Sequence, residues 1–391
     1  MNENKGKEII NNTNSTSNNN NKADRSAMRK KLMKVMLIVI GVLVVILIII
    51  LIFSIINGGE KSYEEIEQEL RKAAIEYYEV QDGLLPQEEG ETVTVKASTL
   101  AESGLMKPLS ELRKDEECSG RVEVSLVNDN VIYTPYLDCG KNYVTKELYK
   151  AVLEQGIVAS GNGLYDMNGE KVYRGDKVNN YVQLDHNIFR IVKVRSDNKI
   201  ELILNETVAD YTTHFDNRYN SDRKYNSGFN DYRVSRMLDY LTKLYNETGD
   251  SALLSNNDKD KLSNFNICLG KRTIRETNNT NAVECSDALE NQMIGLLTVS
   301  DYLNASIDGN CKDTNDRSCQ NYNYLNNSDR DWWLITGNSE NSYEVYVVRN
   351  SGYIDLNNAS SYKRVRPVIV LNNNVMIKSG DGSKENPFIL K

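Results

Sequence analysis

Six cysteines, two histidines, a crowd of carboxylates and one adjacent tryptophan pair are the side chains of this 391-residue chain whose types could do chemistry. The cysteines are Cys118, Cys139, Cys268, Cys285, Cys311 and Cys319. Zinc sites favour short C-x2-C pairs, and the chain has none. An even number confined to the part beyond residue 117 reads instead as three disulfides formed in an oxidising compartment. Six cysteines leave fifteen connectivities open. Proximity favours 118–139, 268–285 and 311–319, each worth about 2.5 to 3.5 kcal/mol in the loop-entropy model if unstrained.

The histidines are His186 and His214. A Ser-His-Asp or Cys-His machine needs its base held by a third group, and neither histidine lies in such a motif. His186 adjoins a hairpin turn and His214 a polar loop, which favours exposed, non-catalytic roles. Asp308, Asp313, Asn315 and Asp316 crowd one loop near two cysteines, and oxygen ligands of that kind suit calcium. The spacing does not match an EF-hand, which favours a solvated, disulfide-closed loop. Trp332 and Trp333 must face opposite sides of a strand, so one is core and the other becomes the first binding candidate if it is exposed. The rival in which both are packed is slightly favoured. Arg366, inside an apolar stretch, reads as a donor to buried acceptors. Gly156, Gly161 and Gly163 lack the companion Gly-Lys of a phosphate loop. On these grounds no catalytic residue, cofactor or metal is assigned, and the chain is read as not an enzyme.

The elements that would carry these residues begin with an uncharged run from Val35 to Ile56, preceded by Arg29, Lys30, Lys31 and Lys34. As a helix it would span roughly 33 Å, enough to cross a bilayer core of about 30 Å. It is too long for the apolar part of a signal peptide, and it ends without a small-x-small cleavage site. The expectation is a single-pass anchor touching membrane lipid through residues 35–56, with the N-terminus cytoplasmic and the C-terminal domains extracellular. Residues 1–34 carry eight Lys and Arg against three Asp and Glu, and the whole chain has a net charge of −8. An acidic exterior argues against nucleic acid as a partner. The asparagine-rich start of the 1–34 segment cannot bury a core and reads as a disordered cytoplasmic tail.

Beyond the anchor the expected order is a membrane-proximal α+β domain over 60–145, a linker over 146–160 and a strand-rich domain over 161–391. Ser62 and Glu65 form a capping box before Ile66, Leu70, Ala73, Ala74, Tyr77 and Tyr78, which recur at helical spacing. A second helix is expected to start at Thr99. A hairpin turning at Asn128-Asp129 pairs 122 with 135, 124 with 133 and 126 with 131, and the same register sets Cys118 opposite Cys139. In the larger domain, strands are expected at 181–184, 188–194, 200–204, 294–299, 332–336, 343–348 and 365–371, with a short one at 375–377. A helical face is expected from Val234 to Leu244, and residues 249–292 read as largely loop.

The larger domain has a sequence of landmarks: Phe189-Arg190-Ile191-Val192, Gly295-Leu296-Leu297-Thr298-Val299-Ser300-Asp301-Tyr302, Trp332-Trp333-Leu334-Ile335-Thr336, Ser351-Gly352-Tyr353-Ile354, Val365-Arg366-Pro367-Val368, and Ser379 to Phe388. This order resembles an uncharacterised surface-protein module of Gram-positive and related bacteria. That module is distantly similar to the C-type-lectin-like fold of formylglycine-generating enzymes. The resemblance covers about residues 160–391, and the 60–145 segment looks like a module found behind pilin-like anchors. It implies a lectin-like fold without implying calcium-dependent sugar binding, because the Trp-Asn-Asp and Glu-Pro-Asn signatures of that mode are missing. The reactive cysteine pair of the enzymes has no counterpart among cysteines that read as structural.

The expected function is an anchored cell-envelope protein displaying an extracellular binding domain, with an envelope glycan or surface protein as partner. Its rivals are a structural, pilin-like surface component and an envelope enzyme of unknown reaction. The expected fold class is α+β, with one transmembrane helix, a small helix-plus-hairpin domain and a larger lectin-like one.

Overall fold

The structure, a computed structural model, describes Met33, Met36, Val39 and residues 60–391, apart from 115, 128, 129, 209–211, 223–227, 250, 251, 278, 279 and 315. It divides into two compact units, Met1–Tyr143 and Val144–Lys391. Each has its own apolar core, and all three disulfides lie inside a unit.

The smaller unit is built on α1 (Tyr63–Val80), opened by the capping box in which Ser62 and Glu65 bind each other's backbone N–H. Its stripe of Ile66, Leu70, Ala73, Ala74 and Tyr78 is buried, as the 3.6-residue spacing requires. Then come β1 (Thr92–Lys96), α2 (Ala97–Glu102), α3 (Leu109–Leu112), β2 (Ser119–Val127) and β3 (Asn130–Asp138). The strands form an antiparallel sheet in the order β1-β2-β3. Val122 pairs with Pro135, Val124 with Tyr133 and Leu126 with Val131. Cys118 and Cys139 close the base of that hairpin with a disulfide, their Cα atoms 4.2 Å apart. The turn at 128 and 129 lies outside the described residues. Helix α2 starts at Ala97, two residues before the expected Thr99, and has no side-chain cap. The buried pair Ala97 and Leu100 pulls the chain into helix directly from the end of β1.

The larger unit opens with α4 (Leu148–Leu153), in the stretch read as a linker, whose Leu148 and Val152 are fully buried in the larger core. The strands β4 (Gly163–Met167), β5 (Glu170–Arg174), β6 (Tyr181–Leu184), β7 (Asn187–Val194) and β8 (Ile200–Leu204) follow. After them come α5 (Arg236–Asn246), α6 (Asn256–Lys259), β9 (Phe265–Cys268), β10 (Ala288–Gln292) and α7 (Val299–Asn304). The chain ends in β11 (Trp332–Gly337), β12 (Glu344–Val348), β13 (Ile354–Asn358), β14 (Val368–Leu371), β15 (Ile377–Ser379) and β16 (Phe388–Leu390). The main sheet runs β14-β8-β7-β6-β16-β15, with the β4-β5 hairpin joined to it through β5 and β7. A second sheet, β11-β12-β13, and the β9-β10 pair complete the unit. Strand β16 enters parallel to β6. The turn before it needs Gly380, whose φ is +96° and where a Cβ would lie 2.0 Å from the Pro387 carbonyl oxygen.

Three expectations are corrected. Among the described residues no helix is long and apolar enough to cross a membrane. The longest among them, the 18-residue α1, carries Glu or basic residues on every turn. The transmembrane helix expected over 35–56 lies outside the described residues save Met36 and Val39, as does the tail over 1–34 save Met33. The fold class of the described residues is α+β and strand-rich, with no membrane-spanning helix among them. The strand expected at 294–299 is not formed: only Gly295 makes a bridge, to Val368. Thr298 and Asp301 form a capping box that starts α7 at Val299. The 249–292 stretch, read as loop, contains α6, β9 and β10, which are too short and polar to show a period.

Candidate functional site

Lys193 is the centre of the candidate site. In β7 a register shift between Ile191 and Lys193 inserts one extra residue against β8, so Lys193 stands directly opposite Glu201. Such a bulge reverses the alternation of faces, which aims the ammonium at Glu201's side of the sheet. The Nζ atom lies 3.2 Å from Glu170, 3.3 Å from Asp301 and 3.8 Å from Glu201. Arg195 adds a contact of 3.3 Å to Glu201. Asp301 is positioned by its own cap: Oδ2 accepts the backbone N–H and the hydroxyl of Thr298, at 3.1 and 2.6 Å. Its Oδ1 accepts Lys193 and the Asn281 amide, each at 3.3 Å.

These groups line a cleft of about 480 Å³, whose other walls include Val172, Phe265, Leu296 and the Cys268–Cys285 disulfide. The Asn281 side-chain oxygen, Oδ1, buried there, finds no donor among the described residues. Burial pushes the Glu201 carboxyl above the ordinary glutamate range, against the pull of Lys193. Burial also opposes ionisation of Asp301, but Lys193 and the Thr298 donors outweigh it and hold that carboxyl below the usual aspartate range. Burial would lower the Lys193 pKa as well; the three carboxylates together raise it. The cleft thus presents a fixed cation facing three carboxyl groups, with Glu201 and Asp301 shifted in opposite directions.

Compared with family models, curated proteins and solved structures, the chain has no match in any of the three. The site therefore stands on its geometry.

All six cysteines are paired as 118–139, 268–285 and 311–319. Disulfides of this number suit an extracellular or secreted chain. The tryptophans do not form a surface. Both are buried, because β11 is covered on its two faces. Trp332 packs edge-on against Tyr302, their centroids 5.9 Å apart, beneath the Arg366 guanidinium at 4.8 Å. Trp333 donates its indole N–H to the Thr213 carbonyl at 2.9 Å. Neither indole is exposed, so the binding role considered for Trp332 or Trp333 has no surface here.

Arg366 donates to the carbonyls of Leu204 and Leu325, and burial with Arg190 nearby lowers its pKa to about 10. His186 lies 2.8 Å from Asp185 on an exposed turn. His214 donates Nδ1 to the Ser360 carbonyl at 2.6 Å and lies under the Tyr362 ring. Neither histidine lines the cleft. In the 308–316 loop Asp308 binds the backbone N–H of Asn310 and the Asn321 amide, while Asp316 binds Ser318. Asn315 lies outside the described residues. Among those described, the one group close enough to hold a metal is Glu116 with Cys118 and Cys139, and those two sulfurs are bonded to each other.

Sequence reasoning missed Lys193, Glu201, Asp301, Glu170 and Asn281. A signal was present: Lys193 and Glu201 are charges inside strands whose neighbours are all apolar, and such charges must find partners.

Proposed function

We propose that this chain is an extracellular recognition protein whose larger unit takes a small, hydroxyl-rich ligand of the saccharide type in the cleft around Lys193. The observation that carries this reading is the set of fixed polar groups lining the cleft: the Lys193–Asp301–Glu201 cluster and the Asn281 Oδ1 atom, which has no donor among the described residues. A volume of about 480 Å³ falls in the range of small-molecule sites. Amides and ion-paired carboxylates held in place recognise hydroxyl groups through both donors and acceptors. The resemblance to a bacterial surface module of lectin-like type points the same way, as do the three disulfides.

The structural, pilin-like rival wants assembly through the 60–145 helix. The apolar stripe of α1 is already buried within its own unit, which speaks against that reading. The enzyme rival would gain from a histidine among the cleft acids, and His214 lies elsewhere.

The test is calorimetric titration of the purified full-length protein with a panel of neutral mono- and oligosaccharides. The expected result is saturable binding by at least one, weakened about tenfold, or about 1.4 kcal/mol, in Asn281→Ala with its melting temperature unchanged. Absence of binding across the panel, or identical affinity in Asn281→Ala, would remove the reading.

A further inference from the structure

A second pocket lies on the larger unit, walled by the Asn230 to Arg233 segment and by Leu269 to Lys271, where the chain leaves β9. It encloses about 300 Å³, the lower end of the range for small-molecule sites, and shares no residue with the Lys193 cleft.

Two charges in it are left without a counter-ion. The first is positive. Lys271 donates from Nζ to Asn230 Oδ1 at 2.7 Å, and no ion pair joins it to a carboxylate among the described residues. The Asn230 amide is buried and cannot turn away, because its Nδ2 donates to the carbonyls of Asn338, Asn341 and Glu344 at 2.9, 2.8 and 3.0 Å. Oδ1 is therefore left to hold the ammonium, and a neutral acceptor positions a charge without cancelling it.

The second charge is negative. Asp231 and Asp287 line the pocket, and Arg233 alone serves both. Its guanidinium bonds Asp287 and holds that carboxyl below the usual aspartate range, but it stays 3.9 Å from Asp231. Asp231 Oδ1 accepts the Arg233 backbone N–H at 3.1 Å, and its Oδ2 accepts nothing among the described residues. One guanidinium between two carboxylates leaves one negative charge over. The remaining wall includes Leu269 and Ile335, both apolar and buried, and Tyr232, whose buried hydroxyl has no partner among the described residues.

We infer that this pocket binds a free aliphatic α-amino acid, with its carboxylate on Lys271, its ammonium on Asp231 and its side chain against Leu269 and Ile335. A neutral sugar would leave both charges unanswered, and a simple anion would leave Asp231 unanswered; a zwitterion answers both. This inference is independent of the ligand in the Lys193 cleft.

The test is calorimetric titration of the purified full-length protein with leucine, with leucinamide, which loses the carboxylate, and with N-acetylleucine, which loses the ammonium. The expected result is saturable binding of leucine and a loss of about tenfold or more for each blocked form, since each forfeits a hydrogen bond between charged groups. Lys271→Met should weaken leucine by the same factor with the fold kept, because the side chain is exposed, and Asn281→Ala should change nothing. Absence of leucine binding, equal binding of either blocked form, or retention in Lys271→Met overturns the inference. Glycine held as tightly as leucine would overturn the part given to Leu269 and Ile335. Loss in Asn281→Ala would move the ligand to the Lys193 cleft and refute this pocket, whereas a saccharide panel that fails at the cleft leaves it standing.

Discussion

Lys193 is buried only because three carboxylates face it, and each of them leans on it in return. Replacing it by methionine keeps the volume and removes the cation that Glu170, Glu201 and Asp301 share, leaving Glu201 with Arg195 alone. Breaking a buried ionic cluster from one side costs about 3 to 5 kcal/mol. The pH dependence separates this from a packing defect. In the native protein Asp301 is held below its unfolded value, so its stabilisation is present at neutral pH and lost as pH falls through the folded value. Glu201 is held above its unfolded value and works in the opposite sense, which keeps the native slope shallow. Without Lys193 both carboxyls move up, opposed by Arg195 at Glu201 and by the Thr298 donors at Asp301. The folded state of the variant then binds more protons than that of the native protein, so the deficit shrinks as pH falls. Urea unfolding of Lys193→Met should therefore show its full deficit at pH 7 and a smaller one at pH 5. The same deficit at both pH values would show that these carboxylates do not rely on Lys193.

At the scale of elements, what was readable in advance depended on how strongly each stretch faces one core. The run Ile200–Leu204 is buried along its whole length, and Asn187–Val194 along most of it, so β-branched and apolar residues announce both strands. The hairpin of the smaller unit was legible to the residue pair, because alternation and turn together fix register. Strands β9 and β10 were not legible: Phe265–Cys268 has four residues, and Ala288–Gln292 shows no alternation. The site was harder still, since a bulge in β7 brings Lys193 to Glu201's face and no spacing rule anticipates a bulge. Close packing of elements makes its own prediction. At Gly120 in β2 a Cβ would meet Leu70 at 3.2 Å and Ala97 and Leu109 at 3.3 Å, so the missing side chain lets three helices close on one strand. Gly120→Val should destabilise the smaller unit by about 1 to 3 kcal/mol through overpacking, read from a shifted urea midpoint with an unchanged slope.

On the scale of the whole molecule, the two units share no core residue, and no disulfide links one to the other. Separate cores of different size need not melt together, and a single unfolding free energy is then not defined for the chain. Scanning calorimetry should resolve two transitions. The Cys118–Cys139 bond spans 21 residues inside the smaller unit, and removing a cross-link over a loop of that length costs about 3 kcal/mol in the entropy model. The double variant Cys118→Ala, Cys139→Ala should lower one transition by several degrees and leave the other in place. Lys193→Met should do the reverse, since its partners all lie between Glu170 and Asp301. If both variants moved the same transition, or if the native protein melted in one step that either variant shifted as a whole, the cores would be coupled. Tyr143 and Val144 would then mark no energetic boundary, and each proposed ligand would have to be sought in an energetically single molecule.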